Sequence, residues 1–422
     1  MTRLLDPIAQ TRPPDGTRSK SRRAGLRVCH VAYTFYEADN RVIRYAREMV
    51  SRGHSVDVIA LRRGDQSRIE RCDGVRVFRI QRRTVSESTA ATYLAKLIWF
   101  LVKASSVLTG LHLRQRYDVV HVHNVPDFLV FAALIPKLAG ARVILDIHDI
   151  VPELYQGKFG TGQRSATFKA LLGVERASCA FADHVIVANE LWRDTLLGRS
   201  TEQCTAILNY PDISLFKPLK PHFQRADAPF VFLYPGSLNH HQGVDVAVRA
   251  FALAREMLPT AEFHIYGDGP ARPLLVRLID ELALHGRVKL MDRVSIHEMA
   301  PIIGAADVGL VPKRADGFGN EAFSTKILEF MASGVPVIVS RTRVDEHHFD
   351  STLVRFCAPG DEHDFATAMV EIYRNRDAAA LRVEMARKFA QRNSWQQHGE
   401  KYRQLVESLV RPSWSGGQAA AL

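Results

Sequence analysis

The sequence predicts an α/β protein made of two doubly wound domains, each a parallel sheet with helices on both faces. Short apolar runs alternate with helical stretches along both halves of the chain, which is the pattern of repeated βαβ units. The 422 residues also exceed the usual size of one domain, and a proline-rich break divides them near the middle. We therefore expect a first domain over residues 25–215, a linker over 216–229 and a second domain over 230–392.

The first domain is predicted from its earliest strand onward. That strand is the run LRVCHVAYT, and an amphipathic helix follows over residues 40–53, with Gly53 as its stop signal. Five further apolar runs are strand candidates: SVDVIAL, VRVFRI, YDVVHVHN, ARVILDIHD and DHVIVAN.

The second domain shows the same alternation. Its strand candidates are PFVFLYPGSL, AEFHIYGDG, RVKLMD, VGLVPK and VPVIVS, separated by helical stretches such as GVDVAVRAFALAREML. The preceding linker contains Pro218, Pro221 and Pro229, which interrupt both helix and sheet. Residues 393–422 are expected to form one or two amphipathic helices and a tail.

Charge is distributed unevenly along the chain. Residues 1–217 hold 32 Lys and Arg against 21 Asp and Glu, whereas residues 218–422 hold 24 of each. A basic first half predicts an anionic partner there, although a solvated basic face is the plainer alternative. Residues 1–24 are expected to be a disordered basic arm, because prolines and clustered arginines oppose packing. No nucleic-acid partner is expected, since no basic groove interleaved with aromatic residues is evident.

Cysteine usage indicates a reducing compartment. The five cysteines are scattered without Cys-x-x-Cys spacing, which disfavours a disulfide framework or a structural zinc site. The first 25 residues contain no apolar run typical of a secretory signal. We therefore expect a cytoplasmic protein.

One apolar segment, ATYLAKLIWFLVKASSVLTGLHL, suggests contact with a membrane. Lys96 and Lys103 are seven residues apart on one helical face, whereas a spanning helix needs about 20 residues with few charges. We expect an interfacial helix whose lysines extend towards anionic headgroups, and not a transmembrane span. This would place the protein peripherally on the cytoplasmic face of the membrane. A core helix with solvent-facing lysines is the alternative.

The segment DGFGNEAFSTKILEFMASGVPVIVS contains the strongest candidate for a ligand site. Gly317 and Gly319 form a loop that a ligand can approach closely. Ser324 and Thr325 are favoured helix caps, and the following helix is predicted to end at Gly334. A helix start presents free N–H groups and the positive end of a dipole, so it suits a diphosphate.

Three charged residues flank this predicted anion site. Lys326 would lie in the first turn of the helix, where a cation is unfavourable unless an anion binds. Glu321 precedes the helix and Glu329 lies within it. Carboxylates accept pairs of hydroxyl hydrogen bonds, so the two could hold a ribose diol and a sugar diol. Either glutamate alone is a weak signal, but the combination is informative.

This stretch resembles the Glu-x7-Glu block of the family 4 retaining glycosyltransferases (group 1 glycosyl transferases), which have the two-domain GT-B fold. The resemblance extends over most of residues 26–410. Further similar blocks occur in the family's order: RVIRYAREMVSRGHSV, VVHVHN, LDIHDIVPE, LNYPDISLF, YPGSLNHHQGVDVAVRAF and IYGDGP. The resemblance implies two Rossmann-like domains facing across a cleft, the first binding an acceptor and the second a nucleotide sugar.

The resemblance also implies roles for single residues. Glu321 and His148 would be the catalytic pair at the donor sugar, and Glu329 would hold the nucleotide ribose. The donor site would be completed by the amides of Phe323, Ser324 and Thr325, and by Lys326, Gly236, Ser237, Gly267, Gly269, Lys313 and Arg314. The acceptor-side candidates are Asn40, Arg41 and Asp149. Because the leaving phosphate assists the acceptor in this family, no metal or other cofactor is expected.

The implied reaction transfers a sugar to a lipid-linked or oligosaccharide acceptor in the synthesis of cell-surface polysaccharide or glycoconjugate. Two positions depart from the family pattern, since Ser237 and Gln242 stand where many members have Arg and Lys. Lys313, Arg314 and Lys326 are candidates to replace that charge, because a leaving diphosphate must be neutralised. The alternatives are a sugar-nucleotide epimerase of the same fold and a catalytically degenerate assembly partner.

The histidines predict little by themselves. His121 and His123 alternate along a strand at a spacing that could ligate a metal, but two histidines without a third ligand are more often packed. No role is predicted for the adjacent His347 and His348.

Overall fold

Two separate sheets organise the computed structural model, which describes residues 25–83, 90–159, 164–219 and 228–410. The predicted basic arm and most of the predicted linker lie outside these residues.

The first sheet has eight strands. They are β1 (Arg27–Ala32), β2 (Ser55–Arg62), β3 (Ile69–Cys72), β4 (Val75–Arg82), β5 (Val119–His123), β6 (Arg142–Ile147), β7 (His184–Val187) and β8 (Cys204–Ala206). Their order is β3-β4-β2-β1-β5-β6-β7-β8.

One edge of this sheet differs from the prediction of a wholly parallel sheet. Strand β3 pairs antiparallel with β4, through a two-residue turn in which Asp73 and Gly74 have φ of 49° and 82°. Both residues tolerate positive φ, so an Asp-Gly pair forms a tight hairpin. The sequence analysis missed this signal because IERC contains little apolar character.

The second sheet has six strands, all parallel to their neighbours. They are β9 (Phe230–Pro235), β10 (Ala261–Tyr266), β11 (Val288–Met291), β12 (Val308–Val311), β13 (Val337–Ser340) and β14 (Arg355–Cys357). The order β11-β10-β9-β12-β13-β14 is that of a doubly wound dinucleotide-binding sheet. The predicted fold class is confirmed.

Helices cover the faces of both sheets. Those of the first domain are α1 (Asn40–Ser51), α2 (Ala90–Arg114), α3 (Leu134–Leu138), α4 (Val151–Phe159), α5 (Ala166–Phe181) and α6 (Glu190–Leu197). Those that follow are α7 (Val244–Ala254), α8 (Arg272–Glu281), α9 (Ile296–Gly304), α10 (Phe318–Glu321), α11 (Thr325–Ala332), α12 (Arg343–His348), α13 (Glu362–Arg374), α14 (Arg376–Arg392) and α15 (Trp395–Val410).

Helix α2 has one buried and one exposed apolar face. Phe100 and Leu108 are fully buried in the core of the first domain, whereas Ile98 and Trp99 are 50% and 55% exposed. By length and composition alone, residues 91–114 could cross a membrane. The buried face shows that this helix is also part of the first domain's packing.

The last helix returns to the first domain. Tyr402 and Trp395 of α15 pack on Tyr45 of α1, with ring centroids 4.1 and 5.5 Å apart. The amide of Trp395 donates to the carbonyl of Pro211 at 3.0 Å, and Ile213 donates to the Gln396 side chain at 3.4 Å. The two chain segments that connect the domains, one near Pro211 and one near Trp395, therefore lie side by side.

Candidate functional site

The sequence-predicted site residues follow the carboxyl ends of strands in both sheets. His148 follows β6, Gly236 follows β9 and Gly267 follows β10, while Glu321 ends the short helix after β12. Ligands of doubly wound sheets bind at this edge. The Asn189 side-chain amide donates to the Glu321 carbonyl oxygen at 3.2 Å, so the two domains meet where the candidates are concentrated.

A buried carboxylate organises the first-domain side of the cleft. Asp146 is fully buried near the end of β6 and accepts hydrogen bonds from both Nε and Nη2 of Arg41, at 2.8 and 2.7 Å. Its oxygens also contact His123 Nδ1 at 3.0 Å and His148 Nε2 at 2.9 Å. Burial alone would raise the pKa of Asp146, but Arg41 and His148 outweigh it and hold that pKa well below the usual range.

Asp146 in turn fixes His148. Burial would lower the pKa of His148, yet the neighbouring Asp146 raises it above the ordinary histidine value. The His148 amide also donates to Asn124 Oδ1 at 2.7 Å, and Asn124 Nδ2 donates to the Asp149 carbonyl at 2.8 Å. Both the ring and the backbone of His148 are thus held in place before a substrate arrives.

Arg41 serves inside the first domain. It is 4% exposed, and besides Asp146 it donates to the Ile207 carbonyl at 2.7 Å. This placement suits a brace for Asp146 better than the acceptor contact expected from the sequence. Asn40 is exposed at the start of α1. Asp149 is largely enclosed, and burial raises the pKa of its carboxyl.

Glycines let two loops of the second domain approach each other. A Cβ on Gly267 would lie 1.8 Å from the Gly236 carbonyl oxygen, and one on Gly269 would lie 2.6 Å from the Leu238 oxygen. A Cβ on Gly236 would instead meet the side chain of Lys326, with Cε at 2.6 Å. The lack of a side chain therefore leaves room for neighbouring backbone at Gly267 and Gly269, and for the Lys326 side chain at Gly236.

The start of α11 is where the sequence predicts an anion site. Ser324 is the N-cap residue but makes no capping bond, and its buried Oγ has no hydrogen-bond partner among the residues that the structure describes. The first turn of any helix has N–H groups without carbonyl partners. Phe323 precedes Ser324 in the loop after α10, and Thr325 is the first residue of α11. An unsatisfied hydroxyl beside free amides is suited to an anion.

Lys326 brings positive charge to this helix start. Its Nζ lies 3.3 Å from Gln242 Oε1 and 5.5 Å from the centre of the Tyr234 ring. Tyr234 also donates to the carbonyl of Ser237 at 2.8 Å. Burial lowers the pKa of Lys326 to about 8, against the opposing effect of Glu329. A cation in this state is stabilised when a diphosphate binds beside it.

The other two candidate cations are already paired. Lys313 is 1% exposed, and its Nζ lies 2.7 Å from both Asp345 Oδ2 and the Ala322 carbonyl. Arg314 pairs with Asp245. Lys313 therefore holds the loop after Glu321 in place, and of the three candidates we expect Lys326 to contact a donor.

The two glutamates face different partners. Glu321 Oε1 accepts from Arg343 Nη1 at 3.1 Å and is partly exposed. Burial raises the pKa of Glu329, although Lys326 and Arg44 of the first domain act in the opposite direction. Arg44 donates to Asn209 Oδ1 at 3.2 Å, and burial lowers its pKa to about 10.

The sequence analysis missed a cluster of buried histidines beneath the site. His30 provides a third ring beside His121 and His123, with His30 Nδ1 3.0 Å from His123 Nε2. His121 Nδ1 lies 2.9 Å from the hydroxyl of Tyr402. Both nitrogens of His123 have partners, His30 and Asp146, whereas the Nε2 atoms of His30 and His121 are buried without a hydrogen-bond partner among the described residues. Only the strand order could have shown that β1 lies beside β5.

Comparisons with known proteins agree with this geometry. A family profile described as "Glycosyl transferase 4-like domain" matches residues 38–209, and one described as "Glycosyl transferases group 1" matches residues 229–375. An uncharacterised glycosyltransferase of Methanocaldococcus jannaschii is 27% identical over 307 residues, which are 70% of this chain and 74% of that protein.

Two further proteins are similar. A phosphatidylinositol N-acetylglucosaminyltransferase polypeptide of Homo sapiens is 22% identical over 343 residues, covering 79% of this chain and 65% of its own length. The crystal structure of Anabaena HepE in complex with UDP-glucose superimposes with a TM-score of 0.69 at 16% identity, covering 90% of this chain and 99% of that one. The latter likeness establishes a shared fold.

Proposed function

The chain belongs to the group 1 glycosyltransferases, and from this premise we propose that it transfers a sugar, with retention of configuration, from a nucleotide donor to a lipid-linked or saccharide acceptor. The nucleotide sugar would bind on the second domain and the acceptor on the first. The observation that best supports this proposal is the start of α11, where Lys326, the free Ser324 hydroxyl and the first-turn amides converge.

The proposed donor pose follows from these groups. The diphosphate would lie against the amides of the α11 start and the ammonium of Lys326, and Glu329 would bond the ribose hydroxyls. Glu321 would contact the hydroxyls of the sugar, with His148 approaching from the first domain. HepE, a protein of the same fold, has been crystallised with UDP-glucose, which supports a nucleotide sugar as the donor class.

The proposed chemistry needs only groups that this chain contains and its two substrates. The acceptor hydroxyl oxygen bonds the anomeric carbon as the bond from that carbon to the diphosphate oxygen breaks. The hydroxyl proton passes to the leaving phosphate oxygen. Lys326 and the helix start stabilise the charge that develops on the diphosphate, which is the interaction expected to lower the barrier most.

The acceptor class is proposed from the surface of the first domain. Helix α2 exposes Ile98 and Trp99 beside Lys103, whose Nζ lies 5.0 Å from the Trp99 ring centre. Helices with an apolar face and interspersed lysines lie in the membrane interface. The human relative is named for transfer to phosphatidylinositol. Together these observations favour a membrane-borne acceptor and a peripheral, cytoplasmic location.

Calorimetric titration of UDP, GDP, ADP and dTDP tests the donor site. We expect one of these nucleotides to bind the wild type and to bind Glu329→Ala at least about tenfold more weakly, since a bond from a carboxylate to a hydroxyl contributes about 1.5–3 kcal/mol. Glu346→Ala, at an exposed surface position, is the control and should bind normally. Binding of none of the four would favour the degenerate-partner alternative. Release of sugar from the nucleotide without any acceptor would favour the epimerase.

A further inference from the structure

A separate group of residues whose side chains commonly ligate metals lies between the domains, apart from the buried histidine cluster. Glu190 is the first residue of α6 in the first domain, and His347 and His348 are the last residues of α12 in the second. One ligand atom of each lies within 4.8 Å of the others. Two histidines and a glutamate are a common ligand set for zinc and similar divalent ions.

The spacing within this group suits one shared ion. His348 Nε2 lies 3.4 Å from Glu190 Oε2, which is about the separation of two ligand atoms that each lie about 2.1 Å from a tetrahedral zinc. Both atoms are buried and lack a hydrogen-bond partner among the described residues. His347 is exposed and its ring centre lies 4.9 Å from that of His348, so it can turn towards the ion.

The two facing atoms of this contact are left unsatisfied. His348 Nε2 and Glu190 Oε2 face each other at 3.4 Å without a hydrogen bond, although both are buried. A cation between them would satisfy both.

We propose that Glu190, His347 and His348 bind a divalent transition-metal ion of the zinc type that bridges the two domains. Water would complete the coordination at the exposed side. The ion takes no part in sugar transfer, so the expectation of metal-independent chemistry is unchanged.

The position of the site predicts its consequence for the donor loop. Asn189, next to Glu190, bonds the Glu321 carbonyl, and the His348 ring packs edge-on against Phe323 with centroids 4.9 Å apart. A bridging ion would hold α6 against the segment that contains Glu321 and Phe323. Tighter nucleotide binding in the metal-loaded protein should follow, and this second effect rests on the proposed function.

Metal binding is tested on the full-length, untagged chain after treatment with a chelator and without any nucleotide. Titration with zinc chloride should show one site of micromolar or tighter affinity. Glu190→Gln and His348→Ala should each weaken it at least about tenfold, because even loss of a residue behind a ligand costs that much. His285→Ala removes an exposed histidine paired with Asp280 and should leave the affinity unchanged.

Two outcomes would overturn the proposal. One is the absence of binding at micromolar zinc, and the other is binding that neither variant weakens. Cobalt(II) gives a separate readout, because its visible spectrum should show four-coordinate nitrogen and oxygen ligation with no thiolate charge-transfer band, whereas such a band would assign the ion to a cysteine. If His348→Ala fails to fold, the isosteric Glu190→Gln decides the outcome alone. Since nucleotide is absent, a negative result leaves the donor proposal standing.

Discussion

At the scale of single residues, the site depends on charges that are buried yet paired. Asp146 has three partners, Arg41, His123 and His148, so its removal would leave a buried arginine without its counter-charge and two imidazoles without this hydrogen-bond partner. Lys326 differs because its nearest polar contact is the uncharged Gln242. Because the hydrogen-bond partner of this buried ammonium is uncharged, an anionic ligand that binds beside Lys326 would stabilise its positive charge.

The affinity for the nucleotide should therefore depend on pH through Lys326. Its pKa of about 8 means that the free protein loses this proton as the pH rises above 8, while the bound diphosphate favours the protonated form. We expect constant affinity below about pH 7, about a twofold fall by pH 8 and a fall approaching about tenfold per pH unit above it. Calorimetry across this range should show no such slope for Lys326→Met, and an identical slope in both proteins would contradict the assignment.

At the scale of elements, the loops after β9 and β10 depend on two glycines in different ways. Gly267 faces the backbone of Gly236, which cannot move aside, whereas Gly236 faces the end of the flexible Lys326 side chain. The same substitution should therefore damage folding more at Gly267, and ligand binding more at Gly236.

Alanine at these two glycines provides a matched comparison. Both positions have a strained φ, 158° at Gly267 and 153° at Gly236, so alanine should lower the free energy of unfolding at each. Gly267→Ala should lower it by about 2–4 kcal/mol more than Gly236→Ala, because only at Gly267 does the new Cβ meet rigid backbone. Gly236→Ala should in addition bind nucleotide more weakly, since Lys326 is displaced. Denaturant unfolding and calorimetry measure the two effects, and equal destabilisation of both variants would refute this distinction.

Helix α2 makes a second prediction at this scale. Replacing Ile98 and Trp99 with serine removes exposed apolar area without touching the buried Phe100. Flotation with anionic liposomes at low salt should therefore decrease strongly while the melting temperature stays unchanged. Leu381→Ser, at a more exposed apolar site on α14, is the control. Absence of liposome binding by the wild type would remove the membrane proposal.

At the scale of the whole molecule, the C-terminal helix stabilises the domain that it returns to. The Tyr402 hydroxyl contacts His121 Nδ1 inside a fully buried layer that includes Tyr45. Tyr402→Phe should lower the free energy of unfolding by about 1–3 kcal/mol, because a buried nitrogen loses its partner. Tyr373→Phe, which removes an exposed bond to Thr260, should change it by less than about 0.5 kcal/mol. Similar losses in both variants would contradict this account.

The sequence could predict those features that depend on local pattern. Alternating apolar runs predicted both sheets, and the Ser-Thr pair predicted that a helix starts at Thr325. It could not tell which of Lys313, Arg314 and Lys326 is available, because that depends on Asp345 and Asp245 occupying the first two. Nor could it pair Arg41 with Asp146, since residues 105 positions apart in the chain meet only through the strand order.

The adjoining crossings between the domains have a consequence for motion. A domain that is connected to its neighbour by one chain segment can translate and rotate in several directions relative to it. Here the segments around Pro211 and Trp395 are hydrogen-bonded to each other. We therefore expect the main motion of one domain relative to the other to be a rotation about these two segments. Fewer relative motions mean fewer wrong arrangements of His148 against Glu321, and the entropy lost on closing the cleft is correspondingly small.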